Sequence, residues 1–154
     1  MKAITIWQPW ATLAAIGAKK NETRDWLTRY RGPLAIHAGK KVDREACERE
    51  PIKTTLAAYG YTADNLPTGA IVATCNLKEC WEVSGIADVP ERGTRVLIDS
   101  TGNKVIGISQ NTNEFHFGDY RIGRHAWELT EVQKLVKPIP AKGQQGLWNW
   151  EGST

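Results

Sequence analysis

The chain has 154 residues, 41% of them hydrophobic and 24% charged, which is the size and composition of a single globular domain over residues 1–154. Its longest apolar run, Leu13 to Ile16, is far shorter than the ~20 residues of a membrane span, and the N-terminal sequence lacks the features of a secretion signal, so we expect a cytoplasmic protein without a membrane partner. The net charge of +3 is too small to indicate a nucleic-acid partner by itself.

In the first half of the chain, short strands alternate with short helices. Pro9 and Gly17 predict the two ends of a helix, because proline suits the first helical turn and glycine the residue after the last. Asp43 predicts the start of a second helical region, which Pro51 interrupts. Alternation and turn residues place strands at 3–7, 21–26 and 34–38.

The second half is rich in predicted strands. A long strand is predicted over 70–83, and two short strands flank Thr101 to Asn103 in a hairpin. Residues 111–123 read as a loop, and alternation favours a strand over a helix at 125–136. Many short strands with few helices predict a mainly-β α+β fold, a closed β-barrel with a few peripheral helices.

The three cysteines are scattered and form no CxxC pair. We expect Cys47, Cys75 and Cys80 to be reduced, and Cys75 to be a small core residue in an apolar strand. No spacing in the chain is typical of a metal site, so we predict neither a metal nor a cofactor.

Gly17, Lys19, Glu22 and Arg24 follow the spacing GxKxxExR, where the first helix gives way to the next strand. An amine beside a carboxylate and a guanidinium on one strand face can bind an anion and exchange a proton. The alternative is a surface ion pair worth about 0–1 kcal/mol. Between Lys19 and Arg44, eight basic residues stand against three acidic ones, so this stretch carries +5 and the remainder −2. That asymmetry fits an anion-facing patch or a solvated basic face.

Gly17 to Arg24 resembles the signature of the ASCH (activating signal cointegrator homology) family, a branch of the PUA-like superfamily. The segments ITIWQPWATL, TRYRGPLAIHAGK, FGDYRIGRHAW and KGQQGLWNW are similar to segments of stand-alone bacterial and phage members, in family order from Ile4 to Trp150. The resemblance implies a PUA-like β-barrel, with the signature lining a cleft beside the first helix. It also implies RNA or nucleotide binding.

In the amidohydrolase branch of that superfamily the signature lysine is catalytic, and a threonine stands where this chain has Glu22. The resemblance therefore makes Lys19 and Glu22 the catalytic candidates, with Glu114 as the best match for a further carboxylate. The nucleic-acid-binding or nucleotide-binding candidates are Gln8, Trp10, Lys19, Arg24, Tyr30, Arg31, His37 and Lys40.

Several of these candidates have an equally ordinary structural interpretation. Gln8 can read a base edge or cap the helix, and Tyr30 can stack on a base or pack on the barrel. His37 is more often a hydrogen-bonded structural residue than a catalyst. Trp7 and Trp127 are expected in the core, with at least one of Trp148 and Trp150.

Three functions compete. The leading hypothesis is binding of RNA, single-stranded nucleic acid or a nucleotide-like small molecule, since no recognition-helix motif for duplex DNA is present. The alternative is a small hydrolase, either similar to acetylcytidine amidohydrolases or a ribonuclease, which leaves enzymatic activity undecided. A protein-interaction module ranks last, because no exposed apolar helix or tail is evident.

Overall fold

The structure is a computed structural model that describes residues 1–152. Over these residues it contains eight strands and four helices, in the order β1 (Lys2–Gln8), α1 (Trp10–Ala15), β2 (Asn21–Arg24), β3 (Gly32–Val42), α2 (Arg44–Cys47), α3 (Ile52–Ala58), β4 (Ala70–Ala87), β5 (Thr94–Ile98), β6 (Val105–Ile108), α4 (Asn113–His116), β7 (His125–Pro140) and β8 (Leu147–Asn149). The predicted mainly-β class is confirmed.

Contacts between Cα atoms divide the chain into two compact units. The first unit contains Met1–Lys19, Pro33–Asn76 and the chain from Glu131 onward, and the second contains Lys20–Gly32 and Leu77–Thr130. The long strands β4 and β7 each pass from one unit into the other.

In the first unit the strands follow the order β4-β3-β1-β8. β1 and β3 are parallel, with Thr5 opposite His37, and β8 is antiparallel to β1. One face of these strands is apolar at the end where the tryptophans lie. Its buried cluster contains Ala3, Ala35, Ile71, Trp148 and Trp150.

In the second unit the order is β2-β7-β4-β5-β6, and every pair with a recorded register is antiparallel. β5 and β6 form the hairpin predicted around Thr101 to Asn103. The core of this unit is a buried cluster of Trp81, Val83, Leu97, Tyr120 and Ala126.

The recorded pairing of the described strands is an open path that ends at β2, at β8 and, on its branch, at β6, so these strands do not close into a ring. The closed barrel predicted from the sequence is therefore not confirmed. No helix within residues 1–152 is long and apolar enough to cross a membrane.

Local signals in the sequence predicted most helix ends. Gly17 follows α1 with φ +79°, and the Asp43 carboxylate accepts a hydrogen bond from the N–H of Ala46 at the start of α2. One prediction was wrong: the expected loop over 111–123 contains the short helix α4, because Thr112 accepts a hydrogen bond from the N–H of Phe115.

The expected positions of the tryptophans were correct except at Trp7. Trp127, Trp148 and Trp150 are buried as expected. Trp7, expected in the core, is 49% exposed. Its place on β1 explains the error, because side chains alternate along a strand and the apolar Ile4 and Ile6 occupy the face opposite to Trp7.

Candidate nucleic-acid or nucleotide site

The signature begins where α1 ends, inside the first unit. The N–H of Gly17 donates to the carbonyl of Ala14, and the N–H groups of Ala18 and Lys19 both donate to the carbonyl of Leu13. After this turn at the end of the helix, the side chain of Lys19 is buried, and the residue is only 1% exposed to solvent. Lysine is rarely buried to this degree in proteins.

Glu22 and Arg24 lie on β2, in the second unit. This strand pairs with β7 in antiparallel register, with Glu22 opposite Trp127 and Arg24 opposite His125. Because the two side chains share a strand face, Arg24 Nε comes within 3.0 Å of Glu22 Oε2. Glu22 is 8% exposed, so this ion pair lies mostly out of water.

Glu114 has a positioning role at the start of β2. Its carboxylate accepts hydrogen bonds from the backbone N–H of Lys20 at 2.7 Å and from that of Asn21 at 3.2 Å. The hydroxyl of Tyr120 donates to the same carboxylate at 3.1 Å. Burial and the neighbouring Glu114 raise the pKa of Tyr120, so its hydroxyl stays protonated. These three bonds hold the backbone that leads into the signature carboxylate.

Arg31 is held by several acceptors of the second unit. Its guanidinium donates to the carbonyls of Thr28 and Tyr30, each at 2.9 Å, and to the carboxylate of Glu79 at 2.7 Å. Burial raises the pKa of Glu79, but hydrogen bonds from the Cys80 N–H and from Arg31 outweigh it and hold the pKa below its ordinary value. The geometry therefore favours a structural role for Arg31 over contact with a phosphate.

Gln8 and Trp10 lie at the entrance to α1. Gln8 is fully buried, and its amide oxygen accepts from the N–H of Thr12 at 2.9 Å. The amide nitrogen donates to the Thr12 hydroxyl and to the carbonyl of Pro67. Of the two interpretations of Gln8, this geometry favours helix capping. Trp10 is half-buried and begins the helix.

His37 occupies a hydrogen-bonded position on β3 and is 2% exposed. Its Nε2 lies 2.7 Å from the carbonyl oxygen of Ala141, which can only accept, so Nε2 carries the proton. Its Nδ1 lies 3.2 Å from the hydroxyl of Thr5, which also accepts from the indole N–H of Trp148 at 3.1 Å. This network places a proton on Nε2 and supports a structural His37.

Lys40 is exposed at the end of the same strand, beside Gly69. It lines a cleft of about 810 Å³ in the first unit, together with His37 and Thr5. Near this cleft lies Trp7, a residue that sequence reasoning missed. The signal was available in the alternation of β1, which puts Trp7 on the same face as Thr5.

In the part of the chain that the structure describes, the cysteines are buried and the acidic residues form no metal-binding cluster. All three cysteines are buried free thiols, and burial raises the pKa of Cys75 to about 12. Within residues 1–152 no cluster of histidine, cysteine or acidic residues has the arrangement of a metal site.

Comparison with curated proteins gives no match to this chain. The profile of the ASCH domain matches residues 4–139, nearly the whole chain and the complete signature. On this match, the chain belongs to the ASCH domain family.

Proposed function

We propose that this chain binds single-stranded RNA or a nucleotide through the residues of its GxKxxExR signature. ASCH domains have a PUA-like fold and are generally nucleic-acid-binding, which supports this class of partner. The PUA-like barrel that the resemblance implies, a single domain over residues 1–154 and a cytoplasmic location are part of the same proposal.

The burial of the signature's charges carries the proposal. Lys19 and Glu22 are both withdrawn from water, and removing an ion from water costs several kcal/mol before pairing repays it. Neutral residues at these positions would avoid that cost, so two buried ionisable side chains within one short motif support a functional site. Lys19 and Arg24 are the signature's cations for an anionic ligand. Arg31 is left out because two backbone carbonyls and the Glu79 carboxylate already accept hydrogen bonds from its guanidinium.

Binding of a fluorescein-labelled single-stranded RNA, followed by anisotropy over a range of salt concentrations, tests this function. Neutralised phosphates release counterions, so the log of the affinity should fall with the log of the salt concentration, with a slope near −0.7 per phosphate contact. Replacing Lys19 by methionine keeps most of the side-chain volume and removes the charge. We expect Lys19→Met to weaken binding about tenfold or more.

The matched control is Lys104→Met, which removes the same charge from an exposed position beside the β5–β6 turn. It should bind as the unaltered chain does. Far-UV circular dichroism and urea titration establish that each variant is folded. A folded Lys19→Met that binds RNA with full affinity and an unchanged salt slope would refute the signature as the binding element.

A hydrolase is the second candidate, favoured by the enclosure of Lys19. A nucleophilic or acid–base lysine needs such shelter from water. This candidate function assigns proton transfer to Glu22, whose carboxylate pairs with the guanidinium of Arg24. Incubation with N4-acetylcytidine and with labelled RNA, followed by mass spectrometry, decides between binding and turnover. Turnover that survives Lys19→Met would place the chemistry elsewhere.

A further inference from the structure

The cleft of the first unit is large enough for a nucleotide. Its volume of about 810 Å³ lies within the ~300–1,000 Å³ of small-molecule sites. Its lining includes Thr5, His37 and Gly39, from β1 and β3, and the segment from Pro140 to Gln145.

Three of the residues that line the cleft are glycines, and two of them pack closely against other lining residues. A Cβ atom on Gly143 would lie 2.6 Å from Cε1 of His37, and one on Gly39 would lie 3.2 Å from Cγ2 of Thr5. Gly69 has φ +62°, a backbone conformation that favours glycine. Larger residues at these positions would fill the space or displace the wall.

The charges around the cleft have one sign. Lys40 and Lys142 are exposed and line it, and its described lining residues include neither aspartate nor glutamate. The exposed amides of Gln144 and Gln145 add groups that both donate and accept hydrogen bonds. An anion that carries hydrogen-bonding groups, such as a nucleotide, fits this lining.

An exposed tryptophan lies beside the cleft. Cδ1 of Trp7 is 3.8 Å from the position that a Cβ of Gly39 would take, and Gly39 lines the cleft. The ammonium of Lys41 stands 3.9 Å from the centre of the Trp7 ring, a cation–π contact. An aromatic ring beside cations is the arrangement with which proteins bind unpaired bases and their phosphates.

We infer that this cleft and Trp7 form a second contact surface for single-stranded nucleic acid, separate in composition from the signature. A base stacks on Trp7 in place of the Lys41 ammonium, and the adjoining phosphate enters the cleft between Lys40 and Lys142. The inference rests on the proposed function for its ligand class and adds a surface that the signature does not contain.

The first experiment compares RNA affinity and salt slope among matched variants. The double variant Lys40→Gln/Lys142→Gln should make the salt slope shallower by about 1.4 units, the share of two phosphate contacts on a single strand. Trp7→Leu should weaken binding at least about fivefold with little change of slope. The control Lys78→Gln/Lys104→Gln removes two exposed charges from the second unit and should leave both quantities unchanged.

The outcomes separate this inference from the proposed function. If Lys19→Met loses binding while the cleft and Trp7 variants match the unaltered chain in affinity and slope, the signature function stands and the second surface is overturned. If the cleft and Trp7 variants lose binding as described and the control does not, the second surface is supported whatever Lys19→Met does.

A second experiment decides the case in which RNA binding is absent altogether. The seven tryptophans are labelled with 5-fluorotryptophan, and the Trp7 resonance is assigned by its loss in Trp7→Phe. Titration with uridine monophosphate should shift this resonance, with uridine acting more weakly and inorganic phosphate leaving the ring unperturbed. Loss of the shift in Lys40→Gln/Lys142→Gln supports the site. An unmoved Trp7 resonance with uridine monophosphate overturns it.

Discussion

Replacement of Thr5 by valine tests the hydrogen-bond network beneath the cleft. Valine keeps the shape of threonine but removes the hydroxyl that contacts Nδ1 of His37 at 3.2 Å and accepts from Nε1 of Trp148 at 3.1 Å. Both partner side chains are buried. Leaving a buried polar group without its hydrogen bond costs about 1–3 kcal/mol, so two such groups lower the free energy of unfolding by about 2–6 kcal/mol.

Urea denaturation followed by far-UV circular dichroism measures this change, and a thermal scan should show the midpoint lowered by roughly 5–15 °C for a chain of this size. The control is Thr5→Ser, which keeps the hydroxyl and removes one methyl group, a loss of about 1 kcal/mol. Thr5→Val as stable as the unaltered chain would show that the hydroxyl contributes nothing to stability, and the Thr5 bonds to His37 and Trp148 would lose their structural role.

Three further predictions concern other parts of the chain. Asp43→Ala should destabilise the protein by about 1 kcal/mol in urea titration, with Asp43→Asn close to the unaltered chain, because the side chain caps α2; equal stability of both variants would contradict the cap. Since burial raises the pKa of Cys75 to about 12, iodoacetamide at neutral pH should leave it unmodified until urea unfolds the chain, and peptide mass spectrometry that finds rapid labelling of the folded protein would show the thiol to be accessible. Glu114→Gln should lower the free energy of unfolding by about 1–3 kcal/mol, because its amide nitrogen would meet backbone N–H donors; an unchanged urea midpoint would remove its positioning role.

Local chemistry made much of the strand and helix pattern predictable. Gly17 marks the exit of α1 and Asp43 the entry of α2 because glycine and aspartate favour those positions in any helix. The spacing of Glu22 and Arg24 likewise predicts one strand face, and their 3.0 Å contact follows from it.

The environment of His37 could not be predicted, because its partners are remote in sequence. Thr5 comes opposite His37 through parallel pairing of β1 and β3, and Ala141 reaches its Nε2 from a segment 104 residues away. The positioning role of Glu114 was not predicted for the same reason. The two backbone N–H groups that donate to its carboxylate lie 94 and 93 residues earlier in the chain. The error at Trp7 has a different cause. We expected Trp7 in the core because tryptophan is often buried, although the alternation along β1 places its side chain on the face opposite to Ile4 and Ile6.

Two consecutive backbone hydrogen bonds connect three segments of the cleft wall that are distant in sequence. The N–H of Gly69 donates to the carbonyl of Ala38, and the N–H of Ala141 donates to the carbonyl of Gly69. Because Gly69 takes part in both bonds, displacement of its segment exposes both amide protons at once. Hydrogen–deuterium exchange at Gly69 and Ala141 should therefore proceed in a single opening event, and a molecule seated against this wall would slow both amides by one common factor.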